Sequence, residues 1–318
     1  MINSDTNYLT YMYLLSPLHT GGSSDEGNLM GIAREVHTEL PYIPASSLRG
    51  RTRSELESQD EYKEVAGRFF GQKIKDGQQP TEGEVWFSDA SLLLFPIASY
   101  SHQFLWITCP LWLSRWNRWL NNEDLNTLIE EWRSILTNNQ NSTKAISPIV
   151  GQEVYLQGAK ISAAEIVPIP NDASCWRAFS DLPNGNGILN LMQRLIVLSD
   201  LDCSTLVEMG LQREVRIAIE ETTKTAKTGS FRSEETIPSE TVLFFPWGIK
   251  LAKKYLIDTS KIDEAARKKA EEDIAKKVEE DKLIRKEISK NILNRRLQFG
   301  GLEGLGRGFA DCKTISNN

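Results

Sequence analysis

Two short stretches carry the residue types that could hold a polyanion. Gly300 to Gly308, within Phe299-Gly300-Gly301-Leu302-Glu303-Gly304-Leu305-Gly306-Arg307-Gly308-Phe309, contains five glycines and one arginine in nine residues. Glycines at that density let backbone N–H groups turn outward and approach a ligand closely. Arg49-Gly50-Arg51-Thr52-Arg53 sets three arginines in five residues. The glycine stretch does not fit a dinucleotide loop, which must open a helix inside a βαβ unit with an acid well downstream; only Ala310 to Asn318 follow. It also lacks the Gly-Lys-Ser/Thr ending of a P-loop. No nucleotide cofactor is expected. The stretch serves another kind of polyanion, or it turns the chain.

The elements around these stretches set what they can do. Pro41-Tyr42-Ile43-Pro44-Ala45-Ser46-Ser47 is an extended lead, and Ser46 or Ser47 is the expected N-cap of a helix through Leu48 to about Ser58. The arginines then fall on the first turn, where cations are unfavourable unless an anion is bound. A solvated turn and a phosphate-binding turn both remain open. Leu9 to Leu15 reads as a first, central strand, followed by a Gly, Ser and acid-rich loop from Thr20 to Gly31. Phe104 to Leu113 is an apolar run entering a helix whose Trp112, Trp116 and Trp119 are expected on one face, packed in the core rather than against bases. Val154 to Ile161 reads as a strand and Ile188 to Leu198 as an apolar helix. Arg213 to Glu220 alternates with period two and pairs with Ser230 to Ile237 in a long β-hairpin, whose polar tip contains Thr223, Lys224 and Lys227. Thr241 to Ile249 is an apolar strand, and Lys253 to Ser289 a long amphipathic helix with a charged face.

Composition bounds the rest. The chain has 318 residues, 40% of them hydrophobic, with eight tryptophans, enough for a substantial core. No apolar run reaches membrane-spanning length and the first residues lack the pattern of a signal peptide, so a cytoplasmic protein without a membrane partner is expected. Cys109, Cys175, Cys203 and Cys312 are scattered, as are His19, His37 and His102, which argues for reduced buried thiols and against zinc. A net charge of −6 argues against a free-standing nucleic-acid binder, although local clusters decide that question.

The order of these elements resembles a known family. An early strand precedes a Gly/Ser loop, Arg34-Glu35 and His37-Thr38-Glu39-Leu40-Pro41-Tyr42-Ile43-Pro44. Ser46-Ser47-Leu48-Arg49-Gly50, Phe95-Pro96, Thr108-Cys109-Pro110-Leu111, the hairpin closing at Ile237-Pro238-Ser239-Glu240-Thr241 and the glycine loop follow. The set resembles the RAMP superfamily of CRISPR-associated proteins, and within it the backbone subunits of type III-B (Cmr) effector complexes, Cmr subunit four; a type III-D backbone subunit is the near alternative. The resemblance implies an α+β fold: a ferredoxin-like, RNA-recognition-motif-like core with an inserted helical region, a long β-hairpin thumb and a C-terminal glycine-rich loop. It implies a single domain over 1–318, with 1–120 the first part of the palm, 121–211 a helical and loop insertion, 212–240 the thumb, and 241–318 the last palm strand, the charged helix and the glycine loop. It further implies partners: CRISPR guide RNA, complementary target RNA, copies of the same chain and other type III subunits. The matching RNA-binding positions are Ser47, Arg49 and Arg51 on the first helix, Gly301, Gly304 and Arg307 in the glycine loop, and Thr223, Lys224 and Lys227 in the thumb. Charged side chains and helix N-termini hold a backbone without reading its sequence.

The resemblance also implies cutting of target RNA beside each thumb, by an acid in the loop after the first strand. Such a carboxylate orients or deprotonates the attacking 2′-hydroxyl, or holds a divalent ion, Mg or Mn, that does so. Counting back from Arg34-Glu35 puts that position near Leu29, beside Asn28; the nearest acids, Asp25 and Glu26, lie three or four residues earlier. Either the loop is re-routed so that Asp25 (or Glu26) reaches the scissile phosphate, or the subunit is an inactive scaffold. His19, just after the first strand, either hydrogen-bonds the loop or assists at the RNA. The competing classes are a stand-alone endoribonuclease that processes CRISPR repeat RNA and a scaffold that touches only protein.

Overall fold

The computed structural model describes residues 7–26, 29–72, 81–138, 143–183, 191, 193–250 and 264–316, with backbone alone for 23–26 and 265–267. β1 (Asn7–Leu14) is apolar on both faces because both are buried: Leu9, Tyr11 and Tyr13 pack into one core cluster, Met12 and Leu14 into the other. β2 (Gly21–Glu26) and β3 (Leu29–Ile32) form an antiparallel hairpin where the sequence predicted a loop. Its glycines, serines and acids carry no alternating apolar signal. Backbone pairing with neighbouring strands makes it a hairpin.

α1 (Ala45–Glu57) buries Leu48, Thr52 and Leu56, one residue per turn. It starts earlier than predicted: Pro44, not Ser46 or Ser47, is its N-cap. Proline has no capping side chain, and the Asp89 carboxylate takes that role from afar, accepting the Ala45 N–H at 2.7 Å. The short α2 (Ala66–Phe70) follows, then β4 (Val85–Phe87), β5 (Ser91–Ser99) and β6 (Gln103–Thr108). In α3 (Pro110–Leu120), Trp112 and Trp116 are buried and Trp119 half-buried, so the core packing expected of them holds, Trp112 joining one cluster and Trp116 and Trp119 the other. α4 (Glu123–Thr137) packs on α3 and leads to β7 (Ala145–Ser147). The predicted strand Val154 to Ile161 is two strands, β8 (Val154–Leu156) and β9 (Ala159–Ile161), folded back at Gly158, whose φ of 80° suits glycine. β10 (Ile166–Pro168) and α5 (Ser174–Phe179) come next. The predicted helix Ile188 to Leu198 falls partly outside the described residues, and its end is a buried strand, β11 (Leu195–Val197), followed by α6 (Asp200–Gly210). A short apolar run fits a buried helix or a buried strand equally well. β12 (Gln212–Arg216), β13 (Arg232–Thr236) and β14 (Val242–Ile249) precede α7 (Glu264–Lys286), which ends in a π-helical turn, Glu287–Ile292. β15 (Arg296–Gln298) and β16 (Phe309–Ser316) close the chain.

The centre of the twelve-stranded sheet is antiparallel, in the order β16-β1-β14-β5. α1 links β1 to β5 and α7 lies between β14 and β16, which gives the βαββαβ path of a ferredoxin-like core. Residues 100–241 are inserted between its second and third strands, and β6, β11, β7 and β10 extend the sheet beyond β5. The expected α+β class holds.

All four cysteines are buried free thiols. Burial pushes Cys175 up to about 12 and raises Cys203 and Cys312 as well. Since the thiolate is the nucleophile, iodoacetamide at neutral pH leaves all four unlabelled in the native chain and labels all four after denaturation, as read by intact mass. Native labelling at Cys175 would show that this part of the core opens.

Candidate nucleic-acid interface

A second, four-stranded sheet in the order β12-β13-β3-β2 holds Asp25 and Glu26 in its last strand, and the turns between its first two strands carry Thr223, Lys224 and Lys227. β12 and β13 are antiparallel, β13 and β3 parallel, β3 and β2 antiparallel. The two candidate hairpins are therefore one unit, β2–β3 with the acids and β12–β13 with the thumb. One row of partners crosses it as Glu214, Glu234, Met30 and Asp25. Glu26 lies directly across from Leu29. The position where an acid was expected thus has an acid as its cross-strand neighbour, about 5 Å away between Cα atoms. The register shifts between Gly21 and Asp25, a bulge of the kind that re-aims a strand. Gly22 sits there because a Cβ would meet the Ile32 carbonyl oxygen at 2.8 Å.

Beyond Arg216 and Arg232 the thumb ladder gives way to turns, held by the Ile219–Ala226 bridge and by Lys227 N–H donating to Ala218 O at 2.8 Å. Thr223, Lys224 and Lys227 are exposed at the tip, and no ion pair is described for either lysine. Val215, Ile217, Ile219 and Phe231 are exposed along the thumb.

Ion pairs staple the root of the thumb. Glu234 and Glu235, only 3% and 2% exposed, are neighbours on β13 and so face opposite sides. Glu234 Oε1 accepts from Arg307 Nε at 3.1 Å and Nη2 at 2.6 Å, and from Arg216 Nη2 at 3.0 Å; Arg307 also bonds Glu214. Glu235 accepts from Arg34 at 2.9 Å and Arg213 at 3.1 Å, and both arginines reach Glu208. Burial works against the Arg307 charge, but its bonds to Glu234 and Glu214 outweigh it, and its pKa is raised. His19 is 5% exposed, with Nδ1 2.9 Å from the Glu235 carbonyl oxygen. Because a carbonyl only accepts, Nδ1 carries the proton. This bond ties the residue after β1 to the thumb root, not to the loop expected from the sequence.

The glycine loop is the connection between β15 and β16, closed by Phe299 N–H donating to Gly308 O at 2.9 Å. Gly301 N–H donates to His19 O, and Gly308 N–H to Pro17 O, both at 2.9 Å. A Cβ at Gly301 would meet only the His19 ring, at 3.5 Å, and at Gly304 nothing within 4 Å. Packing does not require either glycine. On α1, Arg49 Nη2 donates to Phe70 O at 2.7 Å, while Arg51 and Arg53 pair with Glu55 and Glu57 one turn on. Among the described residues no hydrogen bond or ion pair joins Ser47, Arg49 or Arg51 to the glycine loop. The structure gathers Gly301, Arg307, His19, the thumb and the Asp25 strand, and leaves the α1 arginines apart. Glu208, Glu214, Glu234 and Glu235 had been passed over in the sequence. The signal was two adjacent acids, Glu234-Glu235, in a strand entering an apolar segment.

A model of the RAMP superfamily matches residues 11–311. The chain is 26% identical over 322 residues to the CRISPR system Cmr endoribonuclease Cmr4 of Pyrococcus furiosus, covering 98% of this chain and 97% of that one. Its fold is similar to a chain of the type III-B Cmr-beta complex bound to cognate target RNA, with a TM-score of 0.66, 20% identity and coverage of 97% and 96%. It is similar also to oligomeric Cmr4 from Pyrococcus furiosus, with a TM-score of 0.62, 23% identity and coverage of 99% and 100%.

Proposed function

The chain belongs to the RAMP superfamily, and on that premise we propose that it is the guide-RNA-binding backbone subunit of a type III-B CRISPR effector complex. It works in the cytoplasm, stacks with copies of itself and other subunits along the guide, and cuts complementary target RNA once per copy. One observation carries the reading: the acid-bearing hairpin and the thumb are strands of one sheet. A thumb that spaces the bound RNA then also sets where the acid meets it. The Gly304 backbone N–H, the open backbone edge at Gly301, the Ser47 hydroxyl, Arg49, and Thr223, Lys224 and Lys227 of the thumb tip hold phosphates without reading bases.

In the cleavage step the Asp25 carboxylate takes the proton of a target 2′-hydroxyl. The freed oxygen attacks the adjacent phosphorus, the bond to the 5′ oxygen breaks, and that oxygen gains a proton from water. The products are a 2′,3′-cyclic phosphate and a 5′-hydroxyl. Among the described residues no three His, Cys, Asp or Glu side chains gather as a metal cage. Mg or Mn needs only one or two carboxylates beside substrate phosphates, which Asp25 fits; such an ion would neutralise charge on the scissile phosphate. A scaffold without cutting activity is favoured by Leu29 standing at the acid's expected position, and Asp25→Ala in the assembled complex separates the two.

Changing Lys224 and Lys227 together to alanine weakens guide binding by the full chain alike for all guide sequences. The slope of log affinity against log salt falls by about 1.4, the value for two single-strand phosphates. An unchanged slope removes the thumb tip from the interface.

A further inference from the structure

We propose that Arg307 is a positioning residue for cleavage rather than a phosphate ligand: through Glu234 it holds the strand that carries Asp25. This rests on the role given to Asp25 above. The guanidinium is buried and already bonded to Glu234 and Glu214. Nε and Nη2 of Arg307 are held by these carboxylates, so a phosphate that took this side of the fork would displace them and leave the nearly buried Glu234 to Arg216 alone. The two acids that Arg307 holds are neighbours in the row that runs on through Met30 to Asp25.

That row bears weight because the attachment is short. Among the described residues β2 is an edge strand paired with β3 alone, and the β3 ladder meets the thumb through two partners, Ser233–Leu29 and Glu234–Met30. Glu234 is therefore one of the two ladder partners that join thumb and acid hairpin, beside the Arg34–Glu235 ion pair. A slip there by one residue would turn every β3 side chain to the other face. Arg307 also lies three residues after the open Gly304, so one loop meets the guide by its backbone and holds the cutting sheet by its arginine.

The test uses the assembled complex with saturating target RNA, in single turnover, alongside guide affinity as a function of salt. Arg307→Ala cleaves at least tenfold more slowly, with guide affinity and salt slope unchanged. Arg307→Lys, which keeps the charge but loses the fork, falls between it and wild type. Glu234→Gln, nearly isosteric and able to fold where Arg307→Ala does not, also slows cleavage and leaves the guide bound. Adding Arg307→Ala to Asp25→Ala causes no further slowing, because Arg307 acts through Asp25. Weaker guide binding with a lower salt slope and an unchanged cleavage rate would make Arg307 a phosphate ligand and overturn the inference. Normal cleavage by Arg307→Ala beside an inactive Asp25→Ala overturns the clamp alone. Normal cleavage by Asp25→Ala overturns the Asp25 reading, and with it the idea that Arg307 positions that residue.

Discussion

Asp25→Ala lowers target-RNA cleavage by the assembled complex at least about 100-fold, the lower end of what a positioned general acid or base contributes, while guide RNA stays bound at wild-type strength. The register argues for so large an effect. Asp25 pairs with Met30 and Glu26 with Leu29, next to a bulge, in a strand that shares its sheet with the thumb. Among the described residues the buried acids of that sheet, Glu234 and Glu235, each accept hydrogen bonds from at least two arginines, which hold the thumb root together. Their loss would loosen the thumb instead of removing a base. Glu26→Ala tests the neighbouring acid, which lies across from Leu29: successive strand residues face opposite ways, so one of the two variants keeps most of the activity, and a loss in Glu26→Ala alone would move the base to Glu26. The readout is the single-turnover rate at saturating target. Equal rates for wild type and both variants would make the chain's cutting group something other than the hairpin acids.

The second large effect concerns two glycines that look alike in sequence. Gly308→Ala destabilises the chain by about 3 kcal/mol or more, from backbone strain and overpacking together, a fall in Tm of roughly 5 °C. Its φ is 79°, and a Cβ would sit 1.8 Å from the Phe299 carbonyl oxygen. That contact cannot relax cheaply: Gly308 O accepts from Phe299 and Gly308 N–H donates to Pro17, so any shift breaks the closure of the loop. Gly304→Ala meets nothing within 4 Å and keeps an ordinary φ. It leaves Tm within about 2 °C, as a surface change does, and weakens guide binding, because its methyl stands where a phosphate approaches. Thermal melts and a binding isotherm on the two variants separate the roles. Melting of Gly308→Ala at the wild-type temperature would mean that the loop does not close as described.

How much of this was legible in the residues varied with the physics of each element. β1 and β14 are buried on both faces, so their apolar runs announced them. The thumb strands showed the period of two expected of a half-exposed hairpin, and the glycine loop was visible as composition alone. β2 and β3 were not legible, since an edge hairpin of Gly, Ser and acids depends on backbone partners that no local pattern reveals. For the same reason the cross-strand approach of Glu26 to Leu29 could not be counted along the chain. Arg307 showed its charge in the sequence but not its partners, which lie 73 and 93 residues away. α1 kept its length and arginines, but its cap came from Asp89, 44 residues on.

The central claim is that each copy carries both its thumb and its cutting acid on one sheet, so each copy makes one cut at a fixed phase. Complexes assembled from mixtures of wild-type and Asp25→Ala chains test it most directly, with the target-RNA products mapped to the nucleotide. The account predicts an evenly spaced ladder whose spacing never changes and whose rungs each weaken in proportion to the fraction of variant chains. A ladder that shifts its spacing, or that persists at full strength with variant chains alone, would contradict it.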